Sequence, residues 1–406
     1  MPDDGQQTFL THLECARCTT LHDASVVQNL CRSCGGPLLA RYDLGALATA
    51  TPRSRLDDRP CDLWRYRELL PVAHADDVVS LGEPVTPLMA APRLGERIGL
   101  HRLAIKNEGV LPTGSFKARG SAVGVTRARE LGVTTIALPT AGNAGAAWSA
   151  YGARAGLRVV VAMPETTPSV IRRETAAYGA EVRLVAGSIA DAGGLIREAV
   201  AEHGWFDAST LKEPYRIEGK KTIGFEIAEQ LGWRLPDVIV YPTGGGVGLI
   251  GMWKAFHELI EIGWLPADAR LPRFVAVQST GCAPIVQAFE SGAPESEPWP
   301  APDTFAAGIR VPKALGDVLV LRALRETGGT AIAVSDDAIR DGMRLASTLE
   351  GMLVCPEAGA CIAATDALRK SGWLDPGQEV VVINTGTGLK YAESLPVPDE
   401  TGAAGS

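Results

Sequence analysis

The sequence predicts an α/β protein with parallel sheets, standing behind a small N-terminal zinc ribbon. Three features of the sequence lead there. From Leu81 onward short apolar runs alternate with longer amphipathic segments, and glycine-rich turns follow several of those runs. Four of the eight cysteines fall in two Cys-x2-Cys pairs near the N-terminus. Strands are expected at residues 136–138, 159–163, 182–185, 238–241, 274–278 and 380–383, with helices at 188–203, 222–231, 248–261 and 336–349. Strand-then-helix alternation gives parallel strands with helices on both faces. Ligands of such folds bind beyond the carboxyl ends of the strands, in the loops that open the helices. The chain has no internal repeat.

The ribbon rests on Cys15, Cys18, Cys31 and Cys34, with twelve residues between the two pairs. Paired Cys-x2-Cys motifs in a reducing compartment form a tetrahedral thiolate site for Zn²⁺. Gly35 and Gly36 supply the tight backbone that a metal knuckle requires. This zinc is read as a folding staple, separate from the active site. Cys61, Cys282, Cys355 and Cys361 are scattered. A stretch rich in proline, arginine and aspartate, residues 49–62, reads as a linker.

With 406 residues the chain holds two or three domains, and 46% apolar with 21% charged residues is ordinary globular usage. A net charge of −8 gives no reason to bind nucleic acid or an anionic membrane. No apolar run reaches the ~20 residues of a membrane helix. Met1 to Thr8 is acidic and polar, unlike a signal peptide. A cytoplasmic enzyme is the expected class.

Four segments carry candidate chemistry. In Pro112-Thr113-Gly114-Ser115-Phe116-Lys117-Ala118-Arg119-Gly120 a small polar turn places one lysine near a helix start. There the helix dipole and burial both disfavour the protonated amine, which makes a neutral nucleophile accessible. In Pro139-Thr140-Ala141-Gly142-Asn143-Ala144-Gly145-Ala146, small residues let backbone approach a ligand, and Asn143 is the strong polar side chain. Pro242-Thr243-Gly244-Gly245-Gly246-Val247-Gly248 joins a strand to a helix. Its amides suit a phosphate, although neither a P-loop ending nor a dinucleotide fingerprint is present. Asn384-Thr385-Gly386-Thr387-Gly388 offers hydroxyls at another strand end. A neutral hydroxyl facing a pyridine nitrogen leaves that nitrogen unprotonated.

Together these motifs resemble the fold-type II pyridoxal-phosphate (PLP) enzymes, tryptophan synthase β-like, and within them the threonine synthase family. The similarity runs over nearly the whole chain. It implies two three-layer parallel-sheet domains: a large PLP-binding one at 81–118 and 215–395, and a smaller α/β one at 119–214. The ribbon takes residues 1–40, the linker 41–80 and a flexible tail 396–406. By resemblance Lys117 forms the PLP aldimine, Asn143 bonds the phenolic oxygen and Phe116 packs on the ring. Thr243, Gly244, Gly245, Gly246, Val247 and Gly248 hold the phosphate, and Thr385 faces the ring nitrogen. Ser115, Thr140, Arg216 and Thr387 are candidates for the substrate, a small and phosphorylated amino acid. A homodimer is left open. Three positions depart from the family pattern: Ala118 replaces an aspartate, Glu213 an asparagine and Thr387 a histidine. Glu357 either orients the cofactor or complements a helix dipole. The implied reaction turns O-phospho-L-homoserine and water into L-threonine and phosphate. β-Elimination or replacement (threonine/serine dehydratase or cysteate synthase-like) and a non-catalytic relative remain as alternatives.

Overall fold

The computed structural model describes residues 8–395. The first seven residues and the expected tail at 396–406 lie outside that range. Strands β1 (Leu10–Cys15), β2 (Leu21–His22) and β3 (Leu38–Tyr42) form an antiparallel sheet in the order β2-β1-β3. Helix α1 (Leu44–Ala50) follows, begun by the Asp43 carboxylate, which accepts the Ala46 amide. The stretch read as a linker is packed rather than free. Leu47, Leu56, Leu63, Tyr66 and Leu69 are buried, and Arg65 pairs with Glu229 at 2.8 Å. Apolar residues spaced among its prolines and charges hold it against the body.

The chain then enters a six-stranded sheet through β4 (Leu88–Ala90), α2 (Pro92–Ile98) and β5 (Arg102–Asn107). Helix α3 (Lys117–Glu130) carries it out into a second layer. That layer is built from β6 (Thr135–Pro139), α4 (Asn143–Ala155), β7 (Arg158–Pro164), α5 (Ser169–Ala177), β8 (Glu181–Val185), α6 (Ile189–His203) and β9 (Phe206–Asp207). Its four strands run parallel in the order β8-β7-β6-β9. Helix α7 (Arg216–Gln230) brings the chain back. There follow β10 (Val238–Pro242), α8 (Val247–Glu261), β11 (Arg273–Ser279), α9 (Pro284–Glu290), α10 (Asp317–Glu326) and β12 (Thr330–Val334). Helices α11 (Asp336–Glu350) and α12 (Pro356–Lys370) and strand β13 (Glu379–Asn384) complete the body. The larger sheet has the order β12-β11-β10-β13-β5-β4 and is parallel except at β4.

The central strands are buried on both faces, so they read as continuous apolar runs: every residue of β10 is buried. Each of the six expected strands is present, one or two residues longer. Helix α7 starts six residues before the expected 222. From Arg216 to Ala228 it is buried all round, so it lacks the one-sided apolar stripe by which a helix is recognised. It crosses α3 backbone to backbone: a Cβ on Gly219 would collide with the Arg119 carbonyl oxygen, and one on Gly120 would lie 3.0 Å from Arg216 Cβ. Among the described residues no helix is long and apolar enough to cross a membrane.

Candidate active site

The carboxyl ends of β6, β10 and β13 converge on a cavity of about 520 Å³ between the two sheets. Phe116, Lys117, Thr140, Asn143, Arg216, Gly244, Gly245, Gly246, Val247 and Thr385 all line it. Four of the expected residues do not. Thr243 is buried behind the wall, its hydroxyl donating to the Tyr241 carbonyl at 3.0 Å. Gly248 packs against Tyr241 instead of facing the cavity. Ser115 is buried, with a hydroxyl that has no partner among the described residues. Thr387 stands behind the lysine turn, where its amide donates to the Gly114 carbonyl at 2.9 Å and its hydroxyl accepts from Leu389 at 3.3 Å.

Lys117 is the first residue of α3, and no side chain caps that helix. Its Nζ lies 4.1 Å from the Phe116 ring centroid and makes no ion pair or hydrogen bond with the described residues. Burial, and then the Arg216 charge, push its ammonium down to about 8. Lys220 comes in from α7, with Nζ 4.2 Å from the same ring and donating to the Phe116 carbonyl. Burial, reinforced by the nearby Lys117 charge, holds this second amine well below the usual ammonium range.

After β10 the chain turns through Gly246, whose φ of +74° belongs to the left-handed region. A side chain there would also strike Val320. The turn leaves the amides of Gly244, Gly245, Gly246 and Val247 without an acceptor among the described residues, at the positive end of α8. Across the cavity the Asn143 Nδ2 donates to the Tyr391 hydroxyl at 3.0 Å, while its Oδ1 is buried without a partner. The two ends of this amide are equal in shape. Turned over, it would accept from Tyr391 and keep Nδ2 free for a ligand oxygen. The Thr385 hydroxyl is 3.4 Å from the Cys355 sulfur. Glu357, in the first turn of α12, accepts the Gly308 amide at 2.7 Å on the cavity wall. An unpaired amine, an amide nest, an asparagine with one unpartnered end and a hydroxyl on one wall are the groups that PLP requires. The residues fit it.

Arg216 is held by several partners. Glu213 takes its Nε, the Ala208 carbonyl accepts from one terminal nitrogen, and Thr210 Oγ1 accepts from the other at 3.1 Å. Glu213 also accepts the amides of Tyr215 at 2.8 Å and Arg216 at 3.0 Å, so the departure from asparagine leaves a working cap on α7. Ala118 is fully buried in the apolar cluster with Leu111, Trp148 and Tyr151, a place without room for a carboxylate's solvation.

The ribbon is not separate from this site, contrary to expectation. Leu30 lines the cavity, and the Asn29 amide donates to the carbonyls of Asp207 at 2.9 Å and Lys212 at 3.0 Å. Segments distant in sequence supply Leu30, Lys212, Lys220, Arg310, Lys313 and Tyr391 to the wall, and sequence reasoning missed all six. One signal was available: the pair Lys220-Lys221 follows an expected substrate residue on what proves to be the same helix.

The fold and this cavity define a PLP enzyme. The chain belongs to the family described as pyridoxal-phosphate dependent enzyme, whose family model matches residues 79–386. Within it the chain falls in the threonine synthase group. It is 36% identical to the threonine synthase of Methanocaldococcus jannaschii over 93% of this chain and 92% of that one. Against the threonine synthase of Methanosarcina acetivorans the identity is 37%, over 95% and 93%. Among solved structures maize serine racemase superposes with a TM-score of 0.65 over 75% of this chain and 88% of its own, at 22% identity, which speaks to the fold alone.

Proposed function

We propose that the chain is a threonine synthase, a lyase that converts O-phospho-L-homoserine and water into L-threonine and inorganic phosphate. The charge of the cavity carries this reading. Lys117, Lys212, Arg216, Lys220, Arg310 and Lys313 line it, with Glu357 as the one carboxylate among its lining residues. Asp207, Glu213 and Asp317 pair with Lys212, Arg216 and Lys313 from behind the wall, and Lys117, Lys220 and Arg310 have no carboxylate partner among the described residues. A protein of net charge −8 thus turns cations inward. The amide nest at Gly244–Val247 accounts for the cofactor's phosphate, and the remaining cations suit a substrate that brings a second phosphate and a carboxylate. The similarity to the two archaeal threonine synthases supports the same substrate.

Bound PLP supplies an electron sink that lets carbanions form along the substrate chain. The protein supplies the proton transfers and the grip. Lys117 Nζ takes the proton from the α-carbon and then one from the β-carbon. With its ammonium lowered to about 8, about a tenth of this amine is neutral at pH 7, against well under a thousandth for an ordinary lysine. Arg216, fixed by Glu213 and Thr210, grips the phosphate or the carboxylate. Phosphate leaves the γ-carbon and a proton returned there makes the methyl group. Water adds its hydroxyl at the β-carbon, its other proton balancing the phosphate, and Lys117 gives the second proton back to the α-carbon. Asn143 and Thr385 would hold the cofactor's ring when it is bound. The deciding assay follows phosphate and threonine together from phosphohomoserine, with phosphoserine and threonine as rival substrates. Equal release of both products is expected. Phosphate without threonine, or keto acid from threonine, overturns the reading.

We propose Zn²⁺ as the ribbon's ion. The four sulfurs of Cys15, Cys18, Cys31 and Cys34 lie within 4.8 Å of one another. Zinc–sulfur bonds of about 2.3 Å place tetrahedral sulfurs about 3.8 Å apart, which matches. His22 Nε2, 3.4 Å from the Cys31 sulfur, adds a polar neighbour to this cluster. Elemental analysis of protein purified without chelator is expected to give about one zinc per chain. None of the eight cysteines is joined in a disulfide, which is consistent with the proposed cytoplasmic setting.

A further inference from the structure

We propose that the ribbon is a working wall of the substrate site, with Asn29 as a positioning residue for Arg216 and Leu30 as a wall residue that sets the fit of the substrate. The inference rests on the proposed reaction only for the substrate's identity. One side-chain amide of Asn29 bridges both ends of the loop at 207–212, through the carbonyls of Asp207 and Lys212. Between those anchors Leu211 sits in the left-handed region at φ +63°, a conformation that a non-glycine residue keeps only when its surroundings hold it. The same loop presents Thr210, whose hydroxyl accepts from Arg216 at 3.1 Å. Thr210 Cγ2 would also lie 3.0 Å from a Cβ on Gly245, so the loop touches the amide nest as well.

A second route joins the same parts. Tyr215, next to Arg216, is fully buried in the ribbon's own apolar cluster with Leu13, Cys15 and Cys31. Arg127 ties the ribbon to α3 through the Ala24 carbonyl at 2.7 Å. Asn29 and Leu30 lie outside any strand or helix and run directly into Cys31. The cysteine cluster is therefore the nearest rigid anchor for both. A ribbon serving only as a staple would need neither the two-ended clamp nor a side chain in the cavity.

The test compares holoenzymes carrying Asn29→Leu, Leu30→Ala and, as a control on the exposed ribbon surface, Val26→Ser. Asn29→Leu is expected to raise KM for phosphohomoserine about tenfold, equivalent to about 1.4 kcal/mol, with kcat within about twofold and cofactor absorbance unchanged. It should also speed tryptic cleavage after Lys212, a readout independent of turnover. Leu30→Ala should raise KM and leave the tryptic rate alone, and Val26→Ser should change neither. Chelation of the metal-loaded protein should reproduce the Asn29→Leu pattern. Wild-type KM and tryptic rate in Asn29→Leu, or a loss in kcat with KM unmoved, overturn the inference. Should wild type fail to turn over phosphohomoserine, the proposed reaction falls while the tryptic comparison still decides the role of Asn29.

Discussion

Two lysine-and-arginine arrangements lie side by side in this molecule and are treated in opposite ways. On α3, Arg119 has its guanidinium saturated: Glu108 at 2.5 Å, Glu226 at 2.5 Å, Thr222 at 2.8 Å and Thr86 at 3.0 Å, all buried. Lys106 completes the cluster at 2.6 Å from Glu226, so two cations meet two carboxylates. Against the burial that works the other way, Arg119 and Lys106 hold the Glu226 carboxyl down to about 2. Two residues before Arg119, Lys117 faces the cavity with no ion-pair or hydrogen-bond partner among the described residues. Helix α7 repeats the contrast: Lys221 sits between Glu218 at 2.7 Å and Glu258 at 2.8 Å, while among the described residues its neighbour Lys220 has no carboxylate partner and donates to the Phe116 carbonyl. Lys106, Arg119 and Lys221, saturated by buried carboxylates, build structure, whereas Lys117 and Lys220, which have no carboxylate partner among the described residues, face the cavity. Arg216 stands between the two cases, braced by Glu213 and still on the wall.

Breaking each side of that contrast should have different consequences. Lys117→Ala is expected to abolish turnover and the cofactor's characteristic absorbance while circular dichroism and the unfolding midpoint stay near wild type. An active variant would remove the central assignment. Arg119→Met should do the reverse kind of damage, costing about 3–5 kcal/mol of stability because Glu108 and Glu226 are left buried without it. Chemical denaturation measures this, and a wild-type midpoint would mean that the cluster is dispensable.

The pH dependence sharpens the same comparison. Lys117 must lose its proton to attack the cofactor's carbonyl, so uptake of PLP by cofactor-free protein should quicken with rising pH and level off above about 8. Below that the rate should fall about tenfold per pH unit. A profile still rising near the pKa of free lysine, about 10.4, would contradict the lowered amine. The smallest effects are expected at Thr385. Thr385→Ser keeps a hydroxyl and should retain activity within a few-fold, whereas Thr385→Asp should shift the bound cofactor's absorbance and depress turnover. If Thr385→Asp matches wild type in both, Thr385 does not face the ring nitrogen.

The parts of the site legible in the sequence are those written contiguously. Lys117, Asn143 and the glycine turn each follow a strand end and open a helix, so strand, turn and helix signals reinforce one another locally. The parts that were hidden arrive from far away. Leu30 and Lys220 have nothing around them in sequence that points to a ligand, because the fold alone brings them to the wall. Helix α7 was half legible for a related reason: a helix buried on every face has no polar side to give it a period. The ribbon was misjudged as a free-standing module because Cys-x2-Cys spacing reports on the metal and says nothing of what the intervening loop touches.

The crossing of α3 and α7 at Gly120 and Gly219 has a mechanical consequence. These helices are the outward and return passages of the chain between the two layers, and at Gly219 they meet backbone to backbone. A methyl group there would fall on the Arg119 carbonyl, so any larger residue must push the helices apart. Lys117 and Arg216 each stand three residues from these glycines, one on each helix. The spacing between the amine and the guanidinium is thus fixed by two hydrogens where other residues carry carbon.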